Sequence, residues 1–98
     1  MKEITAKELQ RFMEKDQTLT IIDVRETAEV ADGKIPGAVN IPLGLLEFRI
    51  HDLDKSAEYI LVCRSGGRSA QAVQFLENQG FDAINMVGGM LAWEGKTE

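Results

Sequence analysis

The segment Tyr59-Ile60-Leu61-Val62-Cys63-Arg64-Ser65-Gly66-Gly67-Arg68-Ser69 decides the fold. Its first four residues are almost wholly apolar and show no alternation, which suits a central strand of a parallel sheet buried on both faces. A glycine-rich turn with two arginines follows. Ala72, Val73 and Leu76 then form the apolar stripe of a helix that begins near Ser69 and ends at Gly80.

Outward from this segment, strands and helices alternate. Upstream, Thr18 to Val24 is rich in β-branched residues and predicts a strand. A short helix is expected over Thr27 to Ala31, stopped at Gly33 and by the turn Ile35-Pro36-Gly37. Ala38 to Ile41 predicts a brief strand closed by Pro42, and the apolar density of Leu45 to Ile50 predicts another helix. At the N-terminus, Thr5-Ala6-Lys7-Glu8 has capping-box spacing, and Leu9, Phe12 and Met13 recur at helical intervals. Downstream, Ala83 to Val87 predicts a last strand, and Gly88-Gly89 precedes a short helix over Met90 to Trp93. Such alternation implies an α/β fold, a parallel sheet covered on both faces with sites at the carboxyl ends of its strands.

The 98 residues, 44% hydrophobic and 28% charged, suffice for one domain spanning 1–98 and are too few for two. A net charge of -5 argues against a nucleic-acid surface and against anionic membranes. No secretory leader is visible, and no apolar run approaches the ~20 residues that span a bilayer, so a soluble cytoplasmic protein is expected. One cysteine forms no internal disulfide. With one histidine it makes a poor start for a zinc site.

A lone thiol is either a small buried hydrophobe or a reagent, and its neighbours decide. Cys63 ends a buried strand just before a helix N-terminus, whose unpaired N–H groups favour an anion. A thiolate there should have a lowered pKa, with Arg64 and Arg68 adding positive charge. Gly66 and Gly67 are expected to take positive φ, so that successive N–H groups turn inward as an anion-binding nest. Ser65 and Ser69 are expected to supply loop hydrogen bonds or a helix cap. Together these parts suit attack on an anionic substrate. Cysteine phosphatases space cysteine and arginine one residue further apart, to surround a tetrahedral phosphate.

The loop Cys63-Arg64-Ser65-Gly66-Gly67-Arg68-Ser69 resembles the active-site loop of the single-domain rhodaneses (thiosulfate sulfurtransferases). Ile22-Asp23-Val24-Arg25-Glu26 is similar to that family's first signature, and Gly33 to Pro42 (Gly-Lys-Ile-Pro-Gly-Ala-Val-Asn-Ile-Pro) to its second. Gly88-Gly89 followed by Trp93 resembles its ending. Lys34 stands where the family often has histidine. The resemblance implies a three-layer α/β/α fold around a parallel sheet of about five strands. It also implies two-step transfer of sulfane sulfur, with Cys63 as the persulfide-bearing nucleophile and Arg64 to Ser69 as the cradle.

The donor would be a small anion such as thiosulfate. The acceptor would be cyanide, a small thiol or a protein thiol, and no metal or organic cofactor is implied. Asp23 and Arg25 could form a catalytic pair, but the resemblance makes them a structural brace between loops. His51 is expected to be exposed or capping, Met86, Met90 and Trp93 to pack the C-terminal segment, and Glu26, Glu29 and Asp32 to form a solvated helix face. An alternative function is a sulfur carrier or interaction module, loaded by a partner protein and slow with free thiosulfate. Phosphatase or arsenate reductase chemistry ranks third, because the short loop crowds phosphate oxygens. The physiological donor, acceptor and oligomeric state are not written in these motifs.

Overall fold

The computed structural model describes residues 1–15 and 19–98. Five strands form one sheet: β1 (Lys2–Thr5), β2 (Thr20–Asp23), β3 (Val39–Asn40), β4 (Glu58–Val62) and β5 (Asp82–Val87). Their order across the sheet is β1-β5-β4-β2-β3, and every pairing is parallel. Thus β4 lies at the centre, as its unbroken apolar run requires. Three α-helices, α1 (Ala6–Glu14), α2 (Thr27–Ala31) and α3 (Gly67–Asn78), complete the α/β architecture. Thr18, where the sequence pattern begins its second-strand segment, lies outside the described residues.

The sheet separates two cores. Ile60 and Val62 of β4 face the α1 side with Ile4, Leu9, Ile21 and Met86. Tyr59 and Leu61 face the α3 side with Ile22, Ala72, Val73 and Leu76. Alternation is therefore present in β4, but both faces are dry, so the sequence shows a run where a half-exposed strand would show a stripe. Continuing that alternation by one step sends Cys63 toward the α3 side, where it joins the same core. The period of the strand aims the sulfur at the helix.

Two expectations are corrected. Lys2–Thr5 is a strand, where the sequence analysis marked no element. It is an edge strand with one buried residue, Ile4, and it exists through pairing with β5, eighty-two residues away in sequence. Local pattern does not register such a pairing. Thr5 still caps α1: its hydroxyl accepts from the Glu8 N–H, and Glu8 returns a bond to the Thr5 N–H. The helix expected over Leu45 to Ile50 is instead a pair of 3₁₀ turns, Leu43–Leu45 and Ile50–Asp52. Leu46 is buried while Leu45 and Phe48 are 51% and 78% exposed, so the apolar density there is not matched by burial. His51 is exposed on the second of these turns. No helix is long and apolar enough to cross a membrane among the described residues.

Burial predicts where stability resides. Leu61→Ala should cost about 2–5 kcal/mol through lost burial and an unfilled cavity. Thr5→Ala should cost about 1 kcal/mol through the lost cap. Both are read as lowered urea midpoints at unchanged slope.

Candidate functional site

The site lies where β4 gives way to α3. Cys63 is 1% exposed, the floor of a turn rather than its tip. Gly66, the N-cap of α3, has φ 108°, a left-handed conformation that glycine alone adopts at no steric cost. That conformation turns its N–H onto the Cys63 Sγ at 3.0 Å. The Ser69 hydroxyl lies 3.3 Å from the same sulfur. Burial by itself pushes the Cys63 thiol up. Hydrogen bonds from the Ser69 hydroxyl and from the N–H groups of Ser69, Gly66 and Ser65 outweigh it, leaving the thiol below its ordinary value. The helix starts at Gly67, two residues before the expected start near Ser69, so the Gly66 and Ser69 amides are unpaired donors at its N-terminus and that of Ser65 lies just ahead of them. Gly67 itself has no positive φ, contrary to the expectation that both glycines curl the loop.

The back of the loop is tied down. Cys63 and Arg64 direct their carbonyls to the N–H groups of Met90 and Leu91, at 2.8 and 3.0 Å. These acceptors face away from the sulfur, so the donors are left to face it. The clasp requires close contact: a Cβ on Gly89 would overlap both carbonyls. The Gly66 carbonyl accepts from the Ala70 N–H and from Asn85 Nδ2, at 3.1 and 3.3 Å. Asn85 on β5 is buried, and its Oδ1 has no protein partner among the described residues. Asn85 and the Gly89 clasp escaped the sequence analysis. An asparagine inside an otherwise apolar final strand was the available signal.

Arg68 stands where it flanks the loop, but it is not an isolated cation. Its guanidinium makes two parallel bonds to the Glu29 carboxylate, at 2.6 and 2.9 Å. The Arg68 guanidinium, then the Glu26 N–H, hold the Glu29 carboxyl down at about 2. Glu29 is thus corrected from a solvated position to the partner of Arg68. Arg64 is exposed, and none of the ion pairs among the described residues involves it.

Asp23 and Arg25 lie beneath this pair. Asp23 is fully buried, and the Arg25 guanidinium forks onto its carboxylate, with Nη2 at 2.8 Å. Nη2 also donates to the Gly33 carbonyl at 2.8 Å and Nη1 to that of Glu29 at 3.5 Å, so Arg25 meets the end of α2. Arg25 thus ties the end of β2 to the end of α2, and none of these bonds reaches Cys63. Lys34 pairs with Glu98 by its side chain and by backbone bonds in both directions. Met86 is buried, and Met90 and Trp93 pack partly buried against the α1-side core. Among the described residues no cluster of three or more His, Cys, Asp or Glu side chains could hold a metal ion.

The fold has counterparts among known proteins. The family described as "Rhodanese-like domain" matches residues 5–96. The Bacillus subtilis protein named "Putative sulfurtransferase YtwF" is 47% identical over 98 residues, covering all of this chain and 95% of that protein. A second B. subtilis protein, named "Putative sulfur carrier protein YrkF", is 42% identical over 97 residues, and the chain spans 52% of its length. The crystal structure of a rhodanese-like domain protein from Staphylococcus aureus superposes with TM-score 0.95 at 39% identity, covering 100% of this chain and 97% of that one.

The hydrogen bonds at the sulfur set a pH dependence. Alkylation of Cys63 by iodoacetamide should rise with pH around a midpoint below that of a free cysteine measured alongside. Ser69→Ala removes a donor to the thiolate and should move that midpoint upward. Gly89→Ala should destabilise the fold by about 1–3 kcal/mol through overpacking and raise the midpoint as well, because it displaces the loop.

Proposed function

The chain belongs to the rhodanese-like family, and from that premise we propose that it transfers sulfane sulfur through a persulfide on Cys63. The observation that carries this reading is the convergence of three amides and one hydroxyl on a buried sulfur. Donors arranged in that way stabilise an anion at the sulfur, first a thiolate and then the terminal sulfur of a persulfide.

In the first step the Cys63 thiolate attacks the outer sulfur of a donor such as thiosulfate. The new S–S bond forms as the sulfur–sulfur bond of the donor breaks, and sulfite leaves with the bonding pair. In the second step a thiophilic acceptor attacks the outer sulfur of the persulfide, and Cys63 returns as thiolate. This is covalent catalysis with ping-pong kinetics as its signature. Arg68, held by Glu29, orders the first turn of α3, while the exposed Arg64 is placed to meet an anionic donor. Asp23 and Arg25 act as support: they fix α2, and α2 carries Glu29. The whole of 1–98 works as one domain in the cytoplasm.

A second reading, a sulfur carrier loaded by a partner protein, is favoured by the similarity to a relative whose name calls it a sulfur carrier. The acceptor is then a protein thiol, and cyanide serves only as an assay substrate. Prolonged incubation with excess thiosulfate should add one sulfur atom to the intact mass of the protein. Cys63→Ser should gain none. Loss of the added sulfur on cyanide treatment, with thiocyanate released, completes the cycle. A wild-type protein that gains no sulfur from any sulfane donor would end this reading.

A further inference from the structure

The turn that joins β4 to α3 holds more donors than Cys63 Sγ takes up. The amides directed at the sulfur are those of Ser65, Gly66 and Ser69. Gly67 and Arg68 lie in the same first turn, and their N–H groups have no intrahelical acceptor. The direction of the Gly67 N–H is set by the peptide it shares with the Gly66 carbonyl. That peptide is trans, so its N–H and C=O point opposite ways. The carbonyl runs along the helix to the Ala70 N–H at 3.1 Å and sideways to Asn85 Nδ2 at 3.3 Å. The Gly67 N–H therefore leaves the helix at its N-terminal end, on the side of the Cys63 loop.

Asn85 stands on β5, two positions after Ala83 of the α3-side core, and is 4% exposed. Its register partner on β4 is Leu61, two residues before Cys63. Its Oδ1 is the one buried side-chain polar atom without a hydrogen-bond partner among the described residues. An amide here costs the fold an unmet acceptor, which an apolar side chain of the same size would avoid. What it supplies in return is a donor, and that donor goes to Gly66.

We propose that Asn85 is a positioning residue for the outer sulfur of the Cys63 persulfide: by tying the Gly66 carbonyl to β5 it aims the Gly67 N–H at the sulfur that is transferred. The inference rests on the persulfide reading above. The donors to Sγ belong to other peptides, so Asn85 does not set them. A persulfide carries its charge on the outer sulfur, one bond beyond Sγ. A donor aimed there acts in the loaded protein and is silent toward the free thiol. Arg68, the cation that feels Cys63, is paired with Glu29, and Asn85 bonds to neither, so exchanging Asn85 leaves the charges around the loop unchanged.

The test follows iodoacetamide alkylation by intact mass against pH for two forms of each protein. One form has free Cys63, and the other has been loaded by prolonged incubation with thiosulfate and freed of excess donor. An alkylated persulfide is one sulfur atom heavier than an alkylated thiol, so the two are read separately. Asn85→Leu, close in size and without a donor, should raise the loaded midpoint by roughly half a pH unit and leave the free midpoint in place. Asn85→Ala removes the donor without adding bulk and should act in the same direction. A variant that keeps the wild-type free midpoint but holds no added sulfur would support the same role. A free midpoint raised as far as the loaded one, or a loaded midpoint equal to wild type, would overturn the inference and leave the sulfurtransferase reading intact. So would failure of both variants to fold, which would make Asn85 structural alone. A wild-type protein that gains no sulfur from any sulfane donor would overturn both.

Discussion

One residue, Gly66, governs the geometry around the sulfur. Its N–H meets Cys63 Sγ, and its carbonyl is shared by Ala70 of the helix and Asn85 of the neighbouring strand. The left-handed φ is what allows a strand ending at Val62 to enter a helix at Gly67 within so few residues. A side chain at Gly66 would strain that φ and bring its Cβ to 3.3 Å from the Gly88 nitrogen. The turn therefore needs glycine for conformation and for space at once. The 3₁₀ turn at Gly89–Ala92 holds Cys63 and Arg64 from behind, and Asn85 holds Gly66 itself.

What was legible in the sequence follows from what is local. The unbroken run Tyr59 to Val62 gave the central strand, because two dry faces leave no polar residue to mark alternation. The helix after the loop, the capped first helix and the short helix at Thr27 carry their own period or cap. Cys63, its two serines and its arginines could be singled out because a strand end, a glycine turn and a helix start are adjacent in the chain.

What was not legible is long-range or depends on spatial accident. The edge strand Lys2–Thr5 has one buried residue and takes its definition from β5. The segment Leu43–Asp52 has the composition of a helix, but Leu46 is its one fully buried residue, while Leu45 and Phe48 are exposed. Gly67 looked equivalent to Gly66, yet one is already helical while the other carries the turn. Glu29 lies thirty-nine residues from Arg68 and reads as surface charge until the two helices are brought together.

That pairing gives the fold a hierarchy. Asp23 leaves β2 fully buried, and its charge is matched by Arg25 two residues on. Isolated, such a carboxylate would be costly to bury. Forked by Arg25 and bonded to the Arg25 N–H, it becomes a fixed anchor. Arg25 spends its remaining donors on carbonyls at the end of α2, which sets the helix beside the sheet edge. Glu29 on that helix then clamps Arg68 on α3. A buried pair at the end of β2 is thus linked through α2 to a partly exposed pair beside the loop, which joins two of the sequence signatures in one set of contacts. The arginine that the loop contributes is oriented and neutralised by the same contact. What faces the sulfur is therefore backbone N–H groups and the Ser69 hydroxyl, while Arg64 is the arginine of the loop that stays exposed.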